Sequence, residues 1–280
     1  MQVFRTLAIV AAFLAAMPLA AADETATAEK PEVLEFGDVV DGLEGEGPDG
    51  SKVALADLAI DEKKVEAAIM AAAKALGGDA APKLDTTFSA LPGLKDGDEL
   101  DETKRDLLIG QLGKRFGLIP SEKVLEESKT LADLKAWVMR SEKAPILVVV
   151  WSPRCPMCKG IYDERMVTIA GETGIRVLAV AANYPDKPQH VADYLEANDY
   201  HWNVIMDPDQ KLTNRLGGRK TPHAFLLDKD HKLLYKGTFD NDPRDRLDML
   251  EKKEYVREAI DAIKHGKAIP EDMYDTEPAG

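Results

Sequence analysis

The stretch that decides the fold runs Ile146-Leu147-Val148-Val149-Val150-Trp151-Ser152-Pro153-Arg154-Cys155-Pro156-Met157-Cys158. Its first six residues are a continuous apolar run, as expected of a strand buried on both faces. Ser152-Pro153-Arg154 breaks the strand. Cys155 then falls at the expected N-cap of a helix, with Pro156 at the first helical position, where a missing N–H costs nothing. Free N–H groups of the first turn and the positive end of the helix dipole point at the Cys155 sulfur. Cysteines so placed have pKa values of about 3.5–7.5. Arg154 is a candidate for adding positive charge to that thiolate. Cys158, one turn on, is within disulfide reach of Cys155 and more buried by helix geometry. An exposed, acidic thiol with a resolving thiol beside it makes a reversible dithiol/disulfide couple.

These are the only two cysteines among 280 residues, too few for a disulfide-dense scaffold or a four-thiolate zinc site. The five histidines are scattered with no paired spacing, so no zinc ligand set completes the pair. A structural disulfide closing so small a loop would restrict the unfolded chain little. The redox reading is therefore preferred, with no metal and no cofactor expected.

Downstream the pattern alternates. Tyr162, Met166 and Ile169 recur at helical spacing, Val177–Ala181 reads as a second buried strand, and Val191, Tyr194 and Leu195 mark a helix. Val204–Met206 and Ala224–Leu227 read as strands. Asp228-Lys229-Asp230 turns the chain into Lys232–Lys236, and Val256, Ala259, Ile260 and Ile263 mark a last amphipathic helix. A βαβ opening closed by a hairpin and a helix implies an α/β protein with a mixed central sheet covered on both faces.

Upstream the chain is different. Phe36–Leu58 is rich in Gly and Asp and contains a hairpin around Ser51–Leu55. Its glycines lack the Lys-Ser/Thr of a phosphate loop. Helices are expected from about Asp61 to Leu76 and from Asp101, with Leu108, Leu112 and Phe116 on one face. Asp96, Asp98 and Asp101 do not make a calcium loop, because Leu107 stands where a bidentate Glu is required. Thr130 and Asp133 form the pattern of a capping box.

Residues 1–22 carry one charge, Arg5, an apolar stretch Leu7–Leu14 and the small run Ala20-Ala21-Ala22: the layout of a secretory signal. With no cysteine near the cleavage point, a lipoprotein is not indicated. Removal leaves 35 Lys+Arg against 50 Asp+Glu, a net −15 on 258 residues. Such a chain lacks the basic face that nucleic acid requires, and no later segment is apolar enough to insert stably in a membrane. The expected organisation is signal peptide 1–22, linker 23–35, hairpin plus helical accessory region 36–128, main domain 129–273 and tail 274–280, in a periplasmic or otherwise exported protein.

The strand, Trp151-Ser-Pro-Arg-Cys155-Pro-Met-Cys158, the following helix and the later Thr221-Pro222-His223 before a strand resemble the thioredoxin-like superfamily. The nearest branch is that of exported redoxins related to alkyl hydroperoxide reductase/thiol-specific antioxidant proteins, over roughly Leu131–Pro270. The resemblance implies a thioredoxin-like fold with an N-terminal helical insertion or accessory domain. It implies Cys155 as attacking thiol, Cys158 as resolving thiol, and Pro222 as a cis-proline that leaves the Thr221 backbone free to pair with an extended substrate. Its partners would be protein thiol/disulfide substrates and a thiol reductant or oxidant. Ile161 stands where some exported reductases carry a glutamate, leaving no obvious proton shuttle beside Cys158, and no third thiol is available for a relay. Two alternatives stay open: a thiol peroxidase, for which Ser152 matches but Val148 replaces the proline, and a copper carrier using Cys155, Cys158 and His223.

Overall fold

The computed structural model describes residues 32–77, 82–244, 246–248 and 250–278. The signal-like segment 1–22 and most of the expected linker lie outside the described residues. Of the linker's described residues, 32–35, one is buried. Leu34 is buried, and its N–H donates to the Arg215 carbonyl at 2.9 Å.

The chain opens with a hairpin, β1 (Glu44–Glu46) and β2 (Lys52–Ala54), followed by a 3₁₀ turn at Leu55–Leu58. Helix α1 (Glu62–Gly77) comes next, then the two-residue strands β3 (Lys95–Asp96) and β4 (Glu99–Leu100). Helix α2 (Glu102–Arg115) is capped by Asp101, whose carboxylate accepts the Lys104 N–H. The short helix α3 (Glu122–Glu127) leads to α4 (Leu131–Arg140). The expected capping box closes α4. The Thr130 hydroxyl accepts from the Asp133 N–H at 3.2 Å, and the Asp133 carboxylate accepts from the Thr130 N–H at 2.8 Å.

The remaining elements build the sheet: β5 (Ile146–Trp151), α5 (Asp163–Thr173), β6 (Arg176–Ala181), α6 (Pro188–Ala197), β7 (Asn203–Met206), α7 (Lys211–Leu216), β8 (His223–Leu227), β9 (Leu233–Gly237) and α8 (Tyr255–Lys264). The strand order is β7-β6-β5-β8-β9. β5, β6 and β7 are parallel, while β8 is antiparallel to both β5 and β9.

Alternation along β5 explains why its run is wholly apolar. Leu147, Val149 and Trp151 point to one face, where Met166 and Ile169 of α5, Val191 of α6 and Ala259 of α8 cover them. Ile146, Val148 and Val150 point to the other, where Leu34, Val40, Leu43, Leu55 and Leu58 from the N-terminal segment meet Leu216 of α7. Helices α1, α2 and α4 share a third core around Ile69, Ile109, Phe116, Leu134 and Trp137. Arg176 of β6 ties the 3₁₀ turn and the segment after α4 to the sheet. Its guanidinium donates to the Leu58 carbonyl at 3.0 Å and the Ala144 carbonyl at 2.7 Å.

Candidate active site

β5 delivers its last residue, Trp151, to the end of the sheet where β8 begins. The turn that follows is held by its own polar groups. The Ser152 hydroxyl accepts the Arg154 N–H at 3.1 Å and the Ser152 carbonyl accepts the Cys155 N–H at 3.2 Å. The helix starts at Pro156, so Cys155 occupies the N-cap. Across Cys158–Tyr162 the helix widens into a π turn before α5 continues, a feature frequent at functional sites.

Both cysteines are free thiols. The Cys158 residue is fully buried and Cys155 is 9% exposed, less open than the exposed thiol expected from sequence. The Cys155 thiol donates to the Thr221 carbonyl at 3.1 Å. Its pKa is lowered to about 5, first by the Cys158 thiol, then against burial by the Thr221 side chain and the N–H groups of Cys158 and Met157. The backbone N–H groups are those of the first turn, as the N-cap position demands. Cys158 is pushed the opposite way, upward, by burial and by the neighbouring Cys155. The two sulfurs thus have separate characters, one anionic near neutral pH and one protonated.

The Thr221–Pro222 bond is cis, and the turn at 218–222 brings the Thr221 carbonyl to the sulfur. Arg154 faces elsewhere than expected. Its guanidinium donates to the Pro185 carbonyl at 3.2 Å, and its charge acts on the buried Asp186. His223 is fully buried in β8 with its ring 4.4 Å from that of Phe225. Burial, then the charges of Arg219 and Lys236, lower its pKa to about 3. Among the described residues no group of three or more His, Cys, Asp or Glu side chains is placed to hold a metal ion, which leaves a copper site without its third ligand. Trp202 is buried and stacks on Tyr200 with ring centroids 4.2 Å apart. His231, in the turn between β8 and β9, is half-buried.

The structure adds a carboxylate that the sequence reading passed over. Asp163 is 1% exposed and accepts the Trp151 indole N–H at 2.7 Å and the Tyr194 hydroxyl at 2.7 Å. Burial raises its pKa, the two hydrogen bonds oppose that rise, and the Cys155 thiolate adds to it. Its charge in turn contributes to the raised pKa of Cys158. The signal was present in spacing: Asp163, Met166 and Ala170 lie at i, i+3 and i+7 on the buried face.

Residues 119–253 match the Redoxin family model. The chain carries a Redoxin domain. The match begins at Ile119, which belongs to the core beneath the sheet. A Thioredoxin-like protein of Haemophilus influenzae is 30% identical over 104 residues, 36% of this chain and 60% of that protein. The chain thus spans 60% of the length of the curated relative it matches. Among solved structures, a hypothetical protein of Sinorhizobium meliloti 1021 is 26% identical, with 49% of this chain and 78% of that one covered and a TM-score of 0.43. A secreted Mycobacterium tuberculosis disulfide oxidoreductase is 16% identical, with 42% and 81% covered and a TM-score of 0.33. The sheet order and the helices on both faces make this a thioredoxin-like fold with an added N-terminal helical region.

Proposed function

We propose that the Redoxin domain is a thiol–disulfide oxidoreductase of exported proteins, with Cys155 as nucleophile and Cys158 as resolving thiol. The observation that carries this reading is the opposed chemistry of the two sulfurs: a near-surface thiol with its pKa lowered to about 5, one turn from a buried thiol shifted upward. A thiolate is the attacking species in exchange, and a neutral partner is held back until the first step is complete.

In the reductive direction the Cys155 thiolate attacks one sulfur of a client disulfide. A mixed disulfide forms and the other client sulfur leaves as a thiolate, which takes a proton from water. Cys158 then loses its proton and attacks the Cys155 sulfur. The second client thiolate leaves, and Cys155 and Cys158 are joined. Two electrons have passed to the client, and a dithiol reductant must return them. The reverse sequence oxidises a client dithiol. The Thr221 carbonyl, 3.1 Å from the sulfur, is placed to accept a backbone N–H of the client beside its cysteine. Export rests on the signal-like residues 1–22. No helix among the described residues is long and apolar enough to cross a membrane.

The test is substitution of each cysteine. Cys155→Ser should abolish exchange with a model protein disulfide, and Cys158→Ser should accumulate the mixed disulfide on Cys155, visible by mass spectrometry. Undiminished turnover by Cys155→Ser overturns the assignment.

A further inference from the structure

The chain carries 50 acidic against 36 basic residues, yet two adjacent cations, Arg219 and Lys220, immediately precede the residue whose carbonyl touches the Cys155 sulfur. Both side chains are about two-fifths exposed, and in this structure both are engaged by one acidic segment of the same chain. Arg219 pairs with Asp275, and also with Glu277 at 3.3 Å. Lys220 pairs with Glu277 at 3.1 Å. The segment is held against the end of β9 nearest the cysteines. The Lys236 N–H donates to the Tyr274 carbonyl at 3.1 Å, and the Thr276 hydroxyl accepts the Thr238 N–H at 3.0 Å.

A polar recess of about 190 Å³ opens beside Thr221, bordered by Asn183, Thr213, Asn214, Arg219 and Lys220. The Thr213 hydroxyl within it is buried and has no hydrogen-bond partner among the described residues. An extended client that places its cysteine at Cys155 and its backbone along Thr221 must run a neighbouring side chain past this recess and these cations.

We propose that Arg219 and Lys220 select client segments with an acidic residue beside the reacting disulfide, and that Asp275 and Glu277 occupy the same cations when no client is bound. The inference rests on the exchange reading and names the class of peptide that reading left open. Complementary charge of this kind raises encounter rate and discriminates against like-charged partners, while the exposed intramolecular pairs are weak enough to be displaced.

The experiment measures kcat/KM for exchange with three peptides that share one disulfide and differ by Glu, Gln or Lys beside it. The wild-type chain should favour Glu over Gln by about threefold to tenfold at low ionic strength and disfavour Lys. The preference should collapse in about 0.5 M salt, where screening is nearly complete. Arg219→Gln/Lys220→Gln should bring the Glu-to-Gln ratio to about one. Asp275→Asn/Glu277→Gln should raise that ratio, because the competing carboxylates are gone. Equal turnover of all three peptides by the wild type overturns this inference alone, as does a preference that survives salt or the loss of both cations. An unchanged ratio in Asp275→Asn/Glu277→Gln overturns the competition. No turnover of any peptide overturns the exchange reading and this inference with it.

Discussion

The indole N–H of Trp151 donates to Asp163 at 2.7 Å, joining the last residue of the strand before the cysteines to the helix after them. That bond and the Tyr194 hydroxyl hold a carboxylate inside the core, where burial raises its pKa. A carboxyl whose folded pKa lies above its unfolded value favours folding below the unfolded pKa, and the benefit is lost as pH rises through the folded one. Asp163→Asn keeps the shape and can keep both hydrogen bonds. It should therefore raise Tm at pH 7 by a few degrees and leave it nearly unchanged near pH 3. Removing the charge should also lower the pKa of Cys158, so the mixed disulfide should resolve faster at a given pH. A Tm gain equal at both pH values would contradict the buried-charge account.

The acidity of Cys155 predicts a titration. Its alkylation rate should rise through a midpoint near pH 5 and be flat by pH 7. Cys158, shifted upward, should resist alkylation in the folded chain. The reduction potential should show the same break. Below about pH 5 reduction takes up two protons with two electrons, a slope of about 59 mV per pH unit. Above it one proton is taken up and the slope halves to about 30 mV. Because the folded pKa is depressed, the reduced chain should gain stability from this thiol above its ordinary pKa and lose it as pH falls from about 9 to about 5. A single slope from pH 4 to 8 would contradict the assignment.

Arg154 should matter little to that titration. Its guanidinium is directed at the Pro185 carbonyl and the buried Asp186, and the groups that lower the Cys155 pKa are the Cys158 thiol, the Thr221 side chain and first-turn N–H groups. Arg154→Ala should leave the alkylation midpoint within about 0.3 pH units, an energy well under 1 kcal/mol. A rise of a full unit would restore the role expected from sequence, where a cation next to a cysteine in the chain is easily taken for its neighbour in space.

What could be read in advance divides along physical lines. The β5 run, the capping box at Thr130 and the N-cap cysteine were legible because each depends on neighbours within four residues. Helical spacing places Asp163 on the buried face of α5, but its role is not legible locally, because its partners Trp151 and Tyr194 lie 12 and 31 residues away. The region before residue 129 showed its helices through Leu108, Leu112 and Phe116, but not its shared core with α4, which depends on tertiary contact. Arg176 lies one residue before the apolar run that marked β6, and a charge there reads as solvated until its two carbonyl acceptors are seen.

Arg176 is 2% exposed, and burial lowers its pKa to about 10. Among the described residues it has no carboxylate partner, and its hydrogen bonds go to the Leu58 and Ala144 carbonyls. Replacing it leaves both acceptors unpaired, so Arg176→Met should cost about 2–4 kcal/mol in urea unfolding. The loss should appear as a lower midpoint with little change in the slope against urea. A cost below about 0.5 kcal/mol would show that these bonds do not anchor the 3₁₀ turn to the sheet.

Gly113 in α2 sets two general effects against each other. In an exposed helix, Gly→Ala stabilises by about 1 kcal/mol. Here an added Cβ would lie 2.6 Å from the Leu118 carbonyl oxygen and 2.8 Å from the Trp137 ring, and the first of these is backbone, which cannot swing aside. Strain from such contacts costs about 1–3 kcal/mol and should outweigh the propensity gain. Gly113→Ala should therefore destabilise the chain, whereas Gly160→Ala, with open space around the added carbon, should not show that steric cost. If α2 merely rested against the Redoxin domain, Gly113→Ala would be neutral or stabilising. A measured loss in urea unfolding, alongside an unchanged Cys155 alkylation midpoint, would show that the N-terminal helices pack as part of the same body without setting the chemistry of the thiol.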